Sequence, residues 1–110
     1  FMKSFGFRPT NDKDGCLQDI HWYDGAFGYF PTYTLGAMAA AQLFSAVVKV
    51  EPKILSKLKQ GDFSDLLVWL RENVHSWGSY YSTDEIMERA TGSPLDPIFY
   101  ISHLKSRYMQ

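Results

Sequence analysis

The amino-acid sequence predicts an all-α fold, a compact bundle of about five helices after a loop-rich N-terminal segment. Three observations lead there. Apolar residues recur at near-helical spacing through residues 32–50. Capping residues and glycines then punctuate the rest of the chain at short-helix intervals. Residues 1–30, by contrast, show no sustained helical period. The 110 residues fit one small domain, residues 1–110, with no internal repeat and no linker long enough to divide it.

Residues 1–30 carry Gly6, Gly15, Gly25 and Gly28, with Asn11, Asp12 and Asp14 adding turn chemistry. A short extended piece is expected from Cys16 to Trp22. Pro31 changes the pattern, because proline suits a first helical turn where its missing N–H is no loss. The longest helix follows, Thr32 to Val50, with Leu35, Met38, Leu43 and Val47 tracing one face. Glu51-Pro52 restarts the chain. Ile54, Leu55 and Leu58 give the next apolar face, and Gly61 sits where a left-handed C′ residue would. Asp62 caps a helix with Phe63, Leu66, Leu67 and Leu70 inward and Gly78 as its stop. Ser82-Thr-Asp-Glu85 is a capping box, and its helix ends at Gly92. Asp96-Pro97 opens the last helix, through Tyr100, Ile101, Leu104 and Tyr108.

Composition narrows the function classes. Hydrophobic residues are 45%, charged residues 21% and aromatics 16% of the chain, an ordinary globular balance with a ring-rich core. A chain of this size buries roughly two-thirds of its unfolded surface and folds with little margin. A formal net charge of -1 leaves no basic field for nucleic acid or an anionic membrane. The apolar stretch from Leu35 to Val48, broken by Gly36, Gln42 and Ser45, reads as too short and too polar for a bilayer span. The first residues given carry no charged leader with an apolar core, so secretion is not expected, and Phe1 in place of Met reads as a piece of a longer chain. The single cysteine, Cys16, forms no internal disulfide, which fits a reducing cytoplasm.

Metal chemistry finds no home within these residues. His21, His75 and His103 stand at no metal-ligand spacing, and no H-E-x-x-H is present, so no metal ligand is assigned. His75 and His103 read as helix C-terminal residues favoured by the dipole. The segment that stands out is GCLQDIHWYDGAFGYFPTYTLG, residues 15–36. It crowds Gln18, Asp19, His21, Tyr29, Thr32 and Tyr33 among Trp22, Phe27 and Phe30. It ends where a helix begins, so free N–H groups would face whatever precedes Thr32, a setting for a small anion or carboxylate. The bland alternative is a buried loop whose polar groups satisfy one another. Asp19 would then accept from nearby amides and His21 would be a core histidine.

Gly15-Cys-Leu-Gln18-Asp19-Ile-His21-Trp22 resembles the G-x-x-Q-D-x-H-W motif of the carboxypeptidase Taq family. Phe27-Gly28-Tyr29-Phe30-Pro31-Thr32-Tyr33-Thr34-Leu35-Gly36 is similar to that family's F-G-Y-F-P-T-Y-x-L-G run. Trp69 to His75 and Glu88 to Gly92 resemble its C-terminal helices, so the resemblance covers essentially the whole chain.

The resemblance implies the C-terminal portion of a mostly helical zinc carboxypeptidase acting on peptide C-termini, beside the cytoplasmic setting expected from the lone Cys16. Residues 1–30 would form a loop-rich active-site segment and residues 31–110 the helices. It also implies that the metal ligands and general base, in H-E-x-x-H and a later glutamate, lie outside this chain. No cofactor is then expected in the fragment, which would be inactive alone. Such chemistry needs donors for a developing oxyanion. His21 with Tyr29 or Tyr33 suits that role. Tyr29, Thr32 and Tyr33 suit the substrate carboxylate, while Gln18, Asp19 and Trp22 would support the loop and the His21 tautomer. A homo-oligomer is expected, with peptide as substrate and neither nucleic acid nor membrane as partner. The alternative function is a non-catalytic helical interaction or dimerisation module.

Overall fold

The structure, a computed structural model, describes residues 2–109 and holds seven α-helices and no strand among them. The all-α expectation holds. The chain divides into two compact units, residues 1–33 and residues 34–110.

The first unit contains α1 (Met2–Phe5), 3-10 turns at Asp12–Asp14 and Cys16–Gln18, α2 (Ile20–Tyr23) and the first turn of α3 (Pro31–Val50). Asn11 caps the first 3-10 turn, its Oδ1 accepting from the Asp14 amide at 3.1 Å. The extended piece expected from Cys16 to Trp22 is corrected to a 3-10 turn followed by α2. The reason is local. Asp19 is extended, and its Oδ1 accepts from the His21 amide at 3.0 Å, the N-cap that lets so short a helix begin.

The second unit continues α3 and adds α4 (Ile54–Lys59), α5 (Ser64–Asn73), a 3-10 turn at His75–Trp77, α6 (Thr83–Thr91) and α7 (Pro97–Tyr108). The five helices expected after residue 30 are thus present. Gly61 and Gly92 both adopt the left-handed conformation expected of them. At Gly61 the Asp62 amide reaches the Lys57 carbonyl and the Gly61 amide reaches Leu58, each at 3.0 Å, a Schellman closure. The Ser82–Glu85 box is complete in both directions, and the Asp96 carboxylate accepts from the Ile98 amide at 2.9 Å. Two boundaries differ from expectation. α5 stops at Asn73, and the chain tightens into a 3-10 turn before Gly78. His103 lies in the middle of α7, whose last turn carries Lys105 and Arg107 instead.

Val47, Ile54 and Met87 form the buried apolar core, joined by one polar side chain, Gln42. The Gln42 Nε2 faces the Thr91 Oγ1 at 2.8 Å and the Pro94 carbonyl at 3.0 Å, and Oε1 accepts from the Asp96 amide at 2.8 Å. This amide therefore fastens the α6–α7 connection to α3. Leu35, Phe63 and Leu67, expected inward, are exposed, as are Ile101, Leu104 and Tyr108 on α7. So small a unit has no second layer of helices to cover those faces. At 20 residues α3 is long and apolar enough to cross a bilayer on length and composition alone. The expectation that this stretch is too short is corrected, because the helix continues past Leu35–Val48 at both ends.

Candidate functional site

α2 and the first turn of α3 place His21 and Tyr33 together within the first unit. Between them the chain must reverse in a few residues. Gly25 does this at φ +70°, with its amide on the Trp22 carbonyl and the Ala26 amide on His21. A Cβ would be strained in that left-handed conformation. Pro31 then opens α3 and carries Tyr33 one residue past the first two positions.

The His21 ring is held on both nitrogens. Nδ1 lies 2.8 Å from the Asp19 Oδ1 and Nε2 lies 3.1 Å from the Tyr33 hydroxyl. The His21 side chain holds the Asp19 carboxyl below its ordinary value, burial opposing and the His21 amide adding to the effect. An ionised carboxylate only accepts, so the Nδ1 proton points at Asp19. Nε2 of the neutral ring then accepts from the Tyr33 O–H. A proton on Nε2 reverses that bond and leaves the Tyr33 proton for another acceptor.

Aromatic rings frame this line. Tyr29 stacks on His21 at 5.6 Å, Phe30 lies 4.8 Å away, and Tyr33 meets both His21 and Tyr29 edge-on. His21 is half-buried, while Tyr29, Phe30 and Tyr33 stay open to solvent. A reactant therefore has access to the hydroxyl and ring edges.

The other singled-out residues sit differently. Gln18 donates to the Lys13 carbonyl at 2.5 Å, joining the two 3-10 turns rather than touching His21. The Thr32 hydroxyl donates to the Tyr29 carbonyl at 2.6 Å. Trp22 stacks on Phe27 at 6.3 Å. The expectation of free N–H groups ahead of Thr32 is corrected. The Thr32 amide donates to the Tyr29 carbonyl and the Tyr33 amide to Phe30, and Pro31 has none to offer. The opening turn of α3 engages its own amides. Sequence reasoning did not single out Phe5 or the Lys13 carbonyl. Phe5 lies on a distant four-residue helix, and a carbonyl leaves no side-chain signal.

The profile of the carboxypeptidase Taq (M32) metallopeptidase family matches residues 1–108. The chain belongs to that family. This carboxypeptidase Taq chain is 39% identical over 104 residues to thermostable carboxypeptidase 1 of Pyrococcus furiosus, covering 94% of itself and 21% of that relative. It is 40% identical over 108 residues to carboxypeptidase 1 of Bacillus subtilis, covering 98% of itself and 22% of that relative. Among solved structures, metallocarboxypeptidase 1 of Trypanosoma cruzi superposes with a TM-score of 0.87 at 45% identity, over 99% of this chain and 23% of that one. The chain thus spans about a fifth of the length of the relatives it matches.

The family is one of metallopeptidases. Among the described residues, no three His, Cys, Asp or Glu side chains group to hold a metal ion. Asp19 and His21 face each other rather than a common centre. These residues do not fit a metal site, and their chemistry is that of positioned hydrogen-bond donors and acceptors.

Proposed function

We propose that this chain is the C-terminal portion of a zinc-dependent carboxypeptidase that removes residues from peptide C-termini. In this reading it supplies groups that hold and polarise the substrate, and the metal ligands and general base belong to the rest of the protein. The chain alone is then inactive. A cytoplasmic setting, where a lone Cys16 thiol stays reduced, and self-association through apolar helix faces belong to the same proposal.

The observation that carries it is the Asp19–His21–Tyr33 line, with contacts of 2.8 and 3.1 Å, opening among exposed rings. Asp19 fixes the ring. His21 Nε2 and the Tyr33 hydroxyl can then present a donor to a carbonyl or carboxylate oxygen. Tyr29 lies against both side chains and offers a second hydroxyl for the substrate carboxylate, with Thr32 fixing the Tyr29 carbonyl behind it.

Steady-state kinetics of the full-length enzyme tests this. His21→Ala is expected to lower kcat about a hundred-fold or more with a small change in KM, as loss of one oxyanion donor does. An unchanged kcat in a folded variant returns His21 to a packing role and removes the proposal.

A further inference from the structure

We propose that the open hollow beside His21 receives a large apolar side chain of the peptide substrate, an inference that rests on the peptidase reading above. The hollow measures about 670 Å³ and is lined by Phe5, Cys16, Trp22, Phe30 and the Gly15 backbone, with Asp19 among its polar members. It is continuous with the candidate site through two side chains. Asp19 bonds the His21 ring, and Phe30 lies 4.8 Å from that ring. A peptide engaged at His21 and Tyr33 therefore has this hollow as an immediate neighbour for a side chain.

The lining selects the chemistry of the occupant. Phe5, Trp22 and Phe30 are 65%, 49% and 52% exposed, three large rings facing an open space. Trp22 is backed by the Phe27 ring at 6.3 Å and an interplanar angle of 29°, which steadies that wall. At Gly15 a Cβ would stand 2.7 Å from the Pro9 Cγ, so Pro9 packs directly on that backbone behind the lining. Among the described residues no Lys or Arg lines the hollow, so this chain offers an acidic side chain no counter-charge there. The acid that is present, Asp19, is already engaged by His21. Aromatic or large aliphatic side chains fit such walls, burying flat surface against flat surface.

The test compares peptides that differ only in an Ala or a Phe at the C-terminal residue, cleaved by the full-length enzyme. Trp22→Ala and, separately, Phe5→Ala are expected to lower the Phe-over-Ala ratio of kcat/KM on the order of ten-fold, the discrimination a hydrophobic pocket commonly supplies. Trp22→Phe should restore most of it. An unchanged ratio in both alanine variants overturns the hollow, whether the cause is an equal loss on both peptides or another segment of the enzyme filling the space. Failure of the peptidase reading is read separately, since His21→Ala tests kcat on both peptides and leaves the ratio alone.

Discussion

At the scale of single residues, Asp19 does two things with one oxygen. Its Oδ1 caps α2 through the His21 amide and orients the His21 ring through Nδ1. Both bonds are stronger to the ionised carboxylate, and the one to the His21 ring above all holds the folded value below the ordinary 3.8. A lowered acid contributes stability that is present in full above the ordinary carboxylate range. That contribution is lost as the pH falls through the lowered folded value. An acid titration of the chain, followed by NMR of the His21 ring protons, should therefore show a transition below pH 3.8 that disappears in Asp19→Asn. Identical titrations in the two proteins would mean that Asp19 does not hold the ring. That Asp19 supports the His21 ring was expected from the chemistry of the segment, whereas its helix cap was not, because Cys16 to Trp22 reads as extended. The bond to Tyr33, twelve residues away, was not legible, because it depends on the reversal at Gly25 and on where α3 begins.

At the scale of elements, the caps read from sequence recur in the structure at Gly61, Ser82, Gly92 and Asp96, since each is settled within five residues. Cys16 to Trp22 went the other way. Its apolar and polar residues fit an extended strand as well as two short turns, and only the Asp19 cap decides. Gln42 is the larger surprise. A glutamine inside an apolar helix reads as a blemish, yet it is fully buried and bonds residues about fifty positions away. Replacing it with leucine would fill the space but strand the Asp96 amide and the facing oxygens. Gln42→Leu is expected to cost about 1–3 kcal/mol, the penalty for an unpaired buried polar group. Urea unfolding of the chain measures it, and faster hydrogen exchange at the Asp96 amide locates it. Unaltered stability would show that the α6–α7 connection is held by other contacts.

At the scale of the whole molecule, the exposed apolar faces and the lack of a ligand cluster among the described residues each lead to a measurement. Ala37, Ala40, Ala41 and Phe44 of α3 line an apolar groove with Tyr100 and His103 of α7. A helix apolar around much of its circumference normally lies inside a protein. The isolated chain is expected to self-associate at micromolar concentration, most simply through a two-fold pairing. Sedimentation equilibrium checks this, and a folded monomer across the range would mean that these faces need no partner. The isolated chain is also expected neither to bind zinc tightly at neutral pH nor to release C-terminal residues from peptides. Equilibrium dialysis and a release assay check both. Stoichiometric tight binding or metal-dependent turnover would place a metal centre within this chain.

The sequence by itself determined the helical class, the positions of α3 to α7 and the segment that carries the candidate site. Those follow from apolar period, caps and glycines, which act over a turn or two of chain. Tertiary structure alone decided which apolar faces are buried, what Gln42 bonds, and that His21 meets Tyr33 between rings. Each of these depends on groups brought together from distant positions, and local spacing holds no record of that distance.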